Sequence, residues 1–215
     1  MNSVNHGLDD ARLYGIVDTG YVSPDDAEAV THQLLKGGVD LIQLRAKGWD
    51  PPSILELGER IRPICRETGV PFIVNDFPEI AVELEADGLH LGQDDGSLAE
   101  ARRLVGSGMF LGRSTHSPDQ ARQALEEGFD YIGFGPLFPT PTKAGRPGIG
   151  MKDIGKVERE VGTQIPVFCI GGIKRDNLAE VIGAGGRRVV IVSDWLKAKD
   201  ITAAVHETRL ILDPA

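Results

Sequence analysis

Short apolar runs and longer amphipathic stretches alternate along nearly the whole chain. Eight runs, Leu13–Val17, Asp40–Arg45, Pro71–Asn75, Gly88–Leu91, Met109–Gly112, Tyr131–Phe134, Val167–Ile170 and Arg188–Val192, are rich in aliphatic, aromatic and β-branched residues. Their apolar positions are continuous, which predicts strands covered on both faces, as in a parallel sheet. Between and after them lie helical segments: Ser23 to about Leu35, Pro51–Glu67, Ile80–Glu85, Leu98–Leu104, Ser117 to about Glu127, Met151–Val161, Asp176–Ile182 and Ile201–Leu212. Ser23-Pro24 and Ser117-Pro118 set an N-cap before a proline at the first helical position, and Gly37-Gly38 supplies a stop. Pro63 falls inside the second helical segment and predicts a kink or break there.

Eight strand-helix units in one array predict a single-domain α/β fold, a closed (β/α)8 barrel over residues 12–215, with residues 1–11 as a flexible N-terminal segment. An open doubly wound sheet is the competing arrangement. The count of eight and the lack of a G-x-G-x-x-G turn after the first run weigh against it.

At 215 residues and 41% hydrophobic, the chain can bury a sizeable core. A net charge of −9 argues against a general nucleic-acid or anionic-membrane surface, so an anionic substrate would need locally clustered cations. Cys65 and Cys169 form no C-x-x-C pattern, which points to a reducing compartment. The first residues carry no secretory pattern, and no apolar run is long enough to cross a bilayer. The expectation is a soluble cytoplasmic protein.

In a barrel of this kind the chemistry sits at the carboxyl ends of the strands, and the unusual polar residues fall there. After the second run, alternation sends Gln43, Arg45 and Lys47 to one side and Leu44 to the other. Gln43 can donate to and accept from a heteroaromatic ring, while Arg45 and Lys47 suit phosphate. The third run ends at Asn75-Asp76 and the fourth leads into Gln93-Asp94-Asp95. Asp76 and one of the latter pair could share a Mg2+ ion, although Asp94-Asp95-Gly96-Ser97 also fits a helix-capping turn and spacing does not choose between the aspartates. His90 lies within a strand and reads as a core histidine. Ser114 follows the fifth run without a capping duty, unlike Ser117, and His116 could be a base or a solvated loop residue. No nucleophile elbow is present, and no Lys lies within a predicted strand to form a Schiff base. After the sixth run, Gly135-Pro136 opens a proline-stiffened loop carrying Thr140, Pro141, Thr142 and Lys143. Gly171-Gly172 and Val192-Ser193 end the last two runs, where this fold frequently binds phosphate. The sum is two anion sites, one fit for a diphosphate with a metal and one for a monophosphate.

These residues resemble the thiamine phosphate synthase family, and the likeness covers nearly the whole barrel. It rests on Gln43-Leu44-Arg45-Ala46-Lys47, Val74-Asn75-Asp76, His90-Leu91-Gly92-Gln93-Asp94-Asp95, Gly133-Phe134-Gly135-Pro136, Thr140-Pro141-Thr142-Lys143 and Ile170-Gly171-Gly172-Ile173, in that order. The resemblance implies a transferase that joins hydroxymethylpyrimidine diphosphate to hydroxyethylthiazole phosphate, with pyrophosphate leaving first. It implies pyrimidine diphosphate contacts at Gln43, Leu44, Arg45, Ala46, Lys47, Asn75, Ser114 and Lys143. Of these, Arg45, Lys47, Ser114 and Lys143 would carry the catalysis. It implies thiazole phosphate contacts at Thr140, Pro141, Thr142, Gly172, Val192 and Ser193, and Mg2+ ligands at Asp76 and Asp95. Phe77 and Asp194 depart from the family pattern, and Asp194 would put a negative charge near the thiazole phosphate. A thiazole tautomerase sharing the barrel, or a non-catalytic binder of thiamine precursors, is the alternative.

Overall fold

The computed structural model describes residues 8–140 and 147–213. Eight strands, β1 (Leu13–Asp18), β2 (Leu41–Arg45), β3 (Phe72–Asn75), β4 (Gly88–Leu91), β5 (Phe110–Thr115), β6 (Tyr131–Phe134), β7 (Val167–Ile170) and β8 (Arg188–Ile191), close into a barrel in chain order. Every neighbouring pair is parallel, and β8 returns to β1 through Leu13↔Val189. Among the described residues the surrounding helices are α1 (Ala27–Gly37), α2 (Pro51–Thr68), α3 (Pro78–Glu83), α4 (Leu98–Val105), α5 (Pro118–Glu127), α6 (Ile154–Glu160), α7 (Leu178–Gly183), α8 (Ser193–Leu196) and α9 (Ile201–Leu212). None of them is long and apolar enough to cross a membrane.

Alternation along the strands divides the core in two. Outward-facing Leu44, Val74, Leu89, Leu111 and Ile132 pack beneath the helices with Leu34, Leu57, Ile61 and Val205. Inward-facing Tyr14, Ile16, Leu41, Ile73, Tyr131, Phe168 and Val190 fill the barrel. Size is matched between neighbours: a Cβ on Gly112 would lie 2.1 Å from the Tyr131 ring, so the missing side chain makes room for the large one. Tyr14, Tyr131 and Phe168 meet edge-on at 5.3 to 6.0 Å between centroids, each pair contributing about 0.5–1.5 kcal/mol beyond area burial.

The N-terminal end of the barrel is tied by a recurring device. Asp40 accepts the backbone N–H groups of Arg12 (2.7 Å) and Leu13 (2.8 Å), Asp87 that of Phe72 (2.8 Å) and Asp130 that of Leu111 (2.8 Å). Each aspartate precedes an even-numbered strand and holds the start of the odd-numbered strand before it. Each also pairs with an arginine: Arg209 at 2.7 Å, Arg62 at 3.8 Å and Arg102 at 3.1 Å. Beneath them the chain closes the floor. Leu8 and Ala11 are buried inside the barrel, held by Arg188, which donates to the carbonyls of Ala11 (3.1 Å) and Asp9 (2.8 Å). Of the expected flexible segment, residues 1–7 lie outside the described residues.

Four local expectations need correction. The break allowed for at Pro63 is not there: helix α2 is continuous through it, and Pro63 and Glu59, whose carbonyl it cannot satisfy, both lie on the exposed face, where water can. Ser23 caps a 3-10 turn (Pro24–Asp26) ahead of α1 and not the α-helix itself. Strand β5 runs three residues past the expected end at Gly112, placing Ser114 on the strand. A short helix, α8, intervenes after β8 and is locked by buried Trp195, whose Nε1 donates to Thr208 Oγ1 at 3.0 Å.

Candidate active site

All eight strands or the loops after them contribute to a pocket at the C-terminal mouth, about 830 Å3 including its open side. Gln43 and Arg45 enter it from β2, Asn75 from β3, His90 from β4, Ser114 from β5 and Gly133 from β6, while Thr140, Gly171, Gly172, Val192 and Ser193 close the opposite wall.

One wall is charged. The Arg45 guanidinium donates to Asp18 at 2.9 Å; Asp18 is buried at the end of β1 and also accepts the Gly20 N–H at 2.9 Å. An arginine held by a buried carboxylate is fixed in direction before a ligand arrives. Lys47 is exposed, its Nζ 3.9 Å from Asp76. Asp76 has φ 68°, a left-handed conformation uncommon for a side-chain-bearing residue, and its N–H donates to the His90 carbonyl at 3.0 Å. Its carboxyl is pushed up to about 6, chiefly by burial and then by a hydrogen bond and like charge from Asp95, with Lys47 and Arg45 opposing. Asp95 is placed by its own loop, accepting the Gly92 N–H at 2.7 Å. Arg113 donates to the carbonyls of Gly96 (2.8 Å) and Gln93 (3.1 Å) and steadies that loop. The structure thus brings Asp95 to Asp76, the two joined by a side-chain hydrogen bond. Two crowded carboxylates, one resisting ionisation, form a hard oxygen donor set that a divalent cation such as Mg2+ would relieve.

A chain of polar groups crosses the barrel beneath this wall. Gln43 Nε2 donates to Tyr14 Oη (2.7 Å), Tyr14 Oη lies 3.1 Å from Tyr131 Oη, Tyr131 Oη lies 3.2 Å from His90 Nδ1, and His90 Nε2 lies 3.0 Å from Ser114 Oγ. His90 is therefore not a core histidine but a lining residue with both ring nitrogens engaged. His116 binds the Gly135 carbonyl through Nδ1 and sits in the β5–α5 loop without lining the pocket.

The opposite wall is backbone. A Cβ on Gly135 would lie 2.0 Å from the Ile170 carbonyl oxygen and one on Gly171 2.3 Å from Pro136 Cβ, so these glycines let two loops touch. Leu137 N–H donates to Ile170 O (2.9 Å) and Phe138 N–H to Gly171 O (3.0 Å), fixing the Pro136–Thr140 arm against the β7 loop. Gly171 and Gly172 have φ 97° and 65°, conformations that favour glycine. Asp194 does not confront a ligand unscreened: Arg175 Nε donates to it at 2.8 Å, and Arg175 also pairs with Glu207 at 2.7 Å.

Of the residues singled out in the sequence, Gln43, Arg45, Asn75, Ser114, Thr140, Gly172, Val192 and Ser193 line one pocket, with Lys47, Asp76 and Asp95 grouped beside it. Leu44 and Ala46 turn outward into the helix-facing core, so only their backbone can serve a ligand. Pro141, Thr142 and Lys143 lie outside the described residues. Phe77 packs its ring on the outer core. Sequence reasoning missed Asp18, Tyr14 and Tyr131; period-two alternation from Ile16 through Asp18 was the available signal for the first.

The sequence model of the family described as thiamine monophosphate synthase matches residues 13–195. A thiamine-phosphate synthase of Thermus thermophilus is 48% identical over 179 residues, 83% of this chain and 85% of that one. The corresponding protein of Shouchella clausii is 40% identical over 205 residues, 95% and 97% of the two chains. Among solved structures, the thiamine phosphate pyrophosphorylase from Pyrococcus furiosus superposes with a TM-score of 0.83 at 32% identity, covering 94% of this chain and 95% of that one. Barrel, pocket and sequence agree, and the chain belongs to the thiamine monophosphate synthase family.

Proposed function

We propose that the mouth of this barrel binds 4-amino-2-methyl-5-hydroxymethylpyrimidine diphosphate against the charged wall and hydroxyethylthiazole phosphate against the backbone wall, and joins them by a dissociative route. As a member of its family the protein is a transferase whose reaction is the condensation to thiamine phosphate. The observation that carries the finer reading is the convergence of Arg45, Lys47, Asp76 and Asp95 at the ends of β2, β3 and β4, beside Gln43 and Asn75.

In the proposed reaction the bond between the pyrimidine methylene carbon and the diphosphate oxygen breaks, both electrons leaving with pyrophosphate. The thiazole nitrogen then gives its lone pair to the cationic methylene, forming the new C–N bond. Arg45, already aimed by Asp18, and Lys47 stabilise the charge gathering on the departing oxygens. Mg2+, held by Asp76 and Asp95, would add positive charge to the same leaving group. Gln43, Asn75 and Ser114 orient the pyrimidine. Gly172, Val192 and Ser193 offer backbone and hydroxyl groups to the thiazole phosphate, with Thr140 at the edge. Pro141, Thr142 and Lys143 complete the two sets on the strength of the sequence. No side chain need act as nucleophile. Two free, buried cysteines suit a cytoplasmic setting.

Incubation with both substrates and Mg2+ should release thiamine phosphate and pyrophosphate in equal amounts. Absence of product at saturating substrate would overturn the reading.

A further inference from the structure

The chain from Gln43 to Ser114 has a direction. An amide nitrogen only donates, so Tyr14 Oη must accept from Gln43 Nε2. Either oxygen could donate across the Tyr14–Tyr131 pair; with Tyr14 Oη buried and already accepting from Gln43, its one proton goes to Tyr131 Oη. Tyr131 in turn gives its own to His90 Nδ1, and that ring must carry its proton on Nε2, facing Ser114 Oγ. Ser114 accepts there and turns its hydroxyl proton toward the pocket it lines. At the other end, Gln43 has committed its nitrogen to Tyr14, which leaves its carbonyl oxygen for the pocket. One orientation at Gln43 thus sets every bond after it; reversing that amide would reverse them all.

We propose that this buried chain is a specificity device. It presents a fixed acceptor at Gln43 and a fixed donor at Ser114, the complement of an aminopyrimidine edge, with Tyr14, Tyr131 and His90 as positioning residues. The inference rests on the pyrimidine site proposed above and names how that site would tell an amino ring from its oxo counterpart. An exocyclic amine donates and the adjacent ring nitrogen accepts; in the oxo ring the two roles are exchanged. The phenols suit the task. Tyr14 and Tyr131 are buried, and desolvation raises both well above the usual phenol range, so each keeps its single proton. Both rings are also held edge-on to Phe168, which fixes their hydroxyls without help from a ligand.

The test compares the aminopyrimidine diphosphate with its 4-oxo analogue in the wild-type protein and in Tyr14→Phe, Tyr131→Phe and the double variant. Phenylalanine keeps the ring packing and removes one link. The wild type should prefer the amino substrate by on the order of 10⁴, as sites with committed buried partners do. Each single variant should raise KM for the aminopyrimidine diphosphate about tenfold, leave KM for the thiazole phosphate unchanged, and relax the preference by about a hundredfold. The double variant should be no worse than either single one, because a chain broken once is already free to reverse. His90→Gln, which can still donate to Ser114, should retain more preference than His90→Leu; this pair carries the test should Tyr131→Phe fail to fold. An active wild type whose preference survives both tyrosine variants, or whose losses add in the double variant, would overturn the inference. A wild type that makes no thiamine phosphate removes the pyrimidine reading itself, and this inference with it.

Discussion

At the N-terminal end of the barrel Asp40, Asp87 and Asp130 each accept an N–H near the start of a strand and face an arginine. At the C-terminal end Asp76 and Asp95 lean on one another, and the cation paired with Asp76 among the described residues is an exposed lysine 3.9 Å away. The same side chain serves both ends. Where donors surround it, a carboxylate spends its acceptor capacity on the fold and joins strands. Where a second carboxylate takes the donor's place, ionisation is opposed, and the Mg2+ proposed above would complete the pair. Glu158 breaks the rule at the N-terminal end: it is buried on α6, and neither oxygen finds a hydrogen-bond partner of normal geometry among the described residues. Burial raises its carboxyl, and Arg188, Arg187 and Arg12 pull against that through space.

This contrast can be broken at either end. The largest effect should come from Asp76→Ala, which we expect to cut Mg2+-dependent turnover by about 10²–10³ or more while leaving the melting temperature near that of the wild type. Unchanged turnover would remove Asp76 from the metal site. Next in size is the pH dependence of the metal requirement. Because the Asp76 carboxyl sits at about 6, protons compete with Mg2+ below that value. The Mg2+ concentration for half-maximal turnover should therefore rise by up to about tenfold per pH unit as pH falls below 6, and stay level above it. Asp130→Ala tests the other end. It strands the Leu111 N–H and takes the carboxylate from Arg102, which keeps the Gly106 and Met109 carbonyls, so thermal or urea unfolding should show a loss of about 1–3 kcal/mol with kcat/KM little changed. A fall in activity without a fall in stability would deny the division of labour. The smallest effect should be Glu158→Gln. A raised carboxyl holds its proton more tightly in the folded state, so its favourable share is present below the unfolded value and is lost as pH rises through the folded one. Gln never ionises, and Tm near pH 7 should rise by about 2–4 °C, a gain that disappears toward pH 4.

The barrel was legible because continuous apolar runs and helix-length spacers leave few alternatives once eight of each are present. The charged wall was legible too, since Gln43, Arg45 and Lys47 alternate at a strand end and Asn75-Asp76 ends the next strand over. Ser114 falls after the expected strand because Gly112 and Arg113 interrupt the apolar run; the glycine is there to admit the Tyr131 ring, a reason that exists only across two strands. The chain through Tyr14, Tyr131 and His90 was hidden for the same cause. Its members look like ordinary strand residues, and the two tyrosines that touch are 117 positions apart. Asp18 follows the first apolar run as a turn residue would, a duty it also performs through Gly20. Helix α8 is four residues long, too short for periodicity to register.

The floor laid by Leu8, Ala11 and Arg188, with the ring cluster above it, makes the barrel a blind vessel. Among the described residues its axis opens at the C-terminal mouth and is closed at the floor. With both substrates held as proposed, they arrive and their products depart through the same mouth, so whatever leaves second holds the place of whatever would enter next. Inhibition by product, and a preferred order of arrival and departure, are then consequences of a sealed floor as much as of any group that touches a ligand.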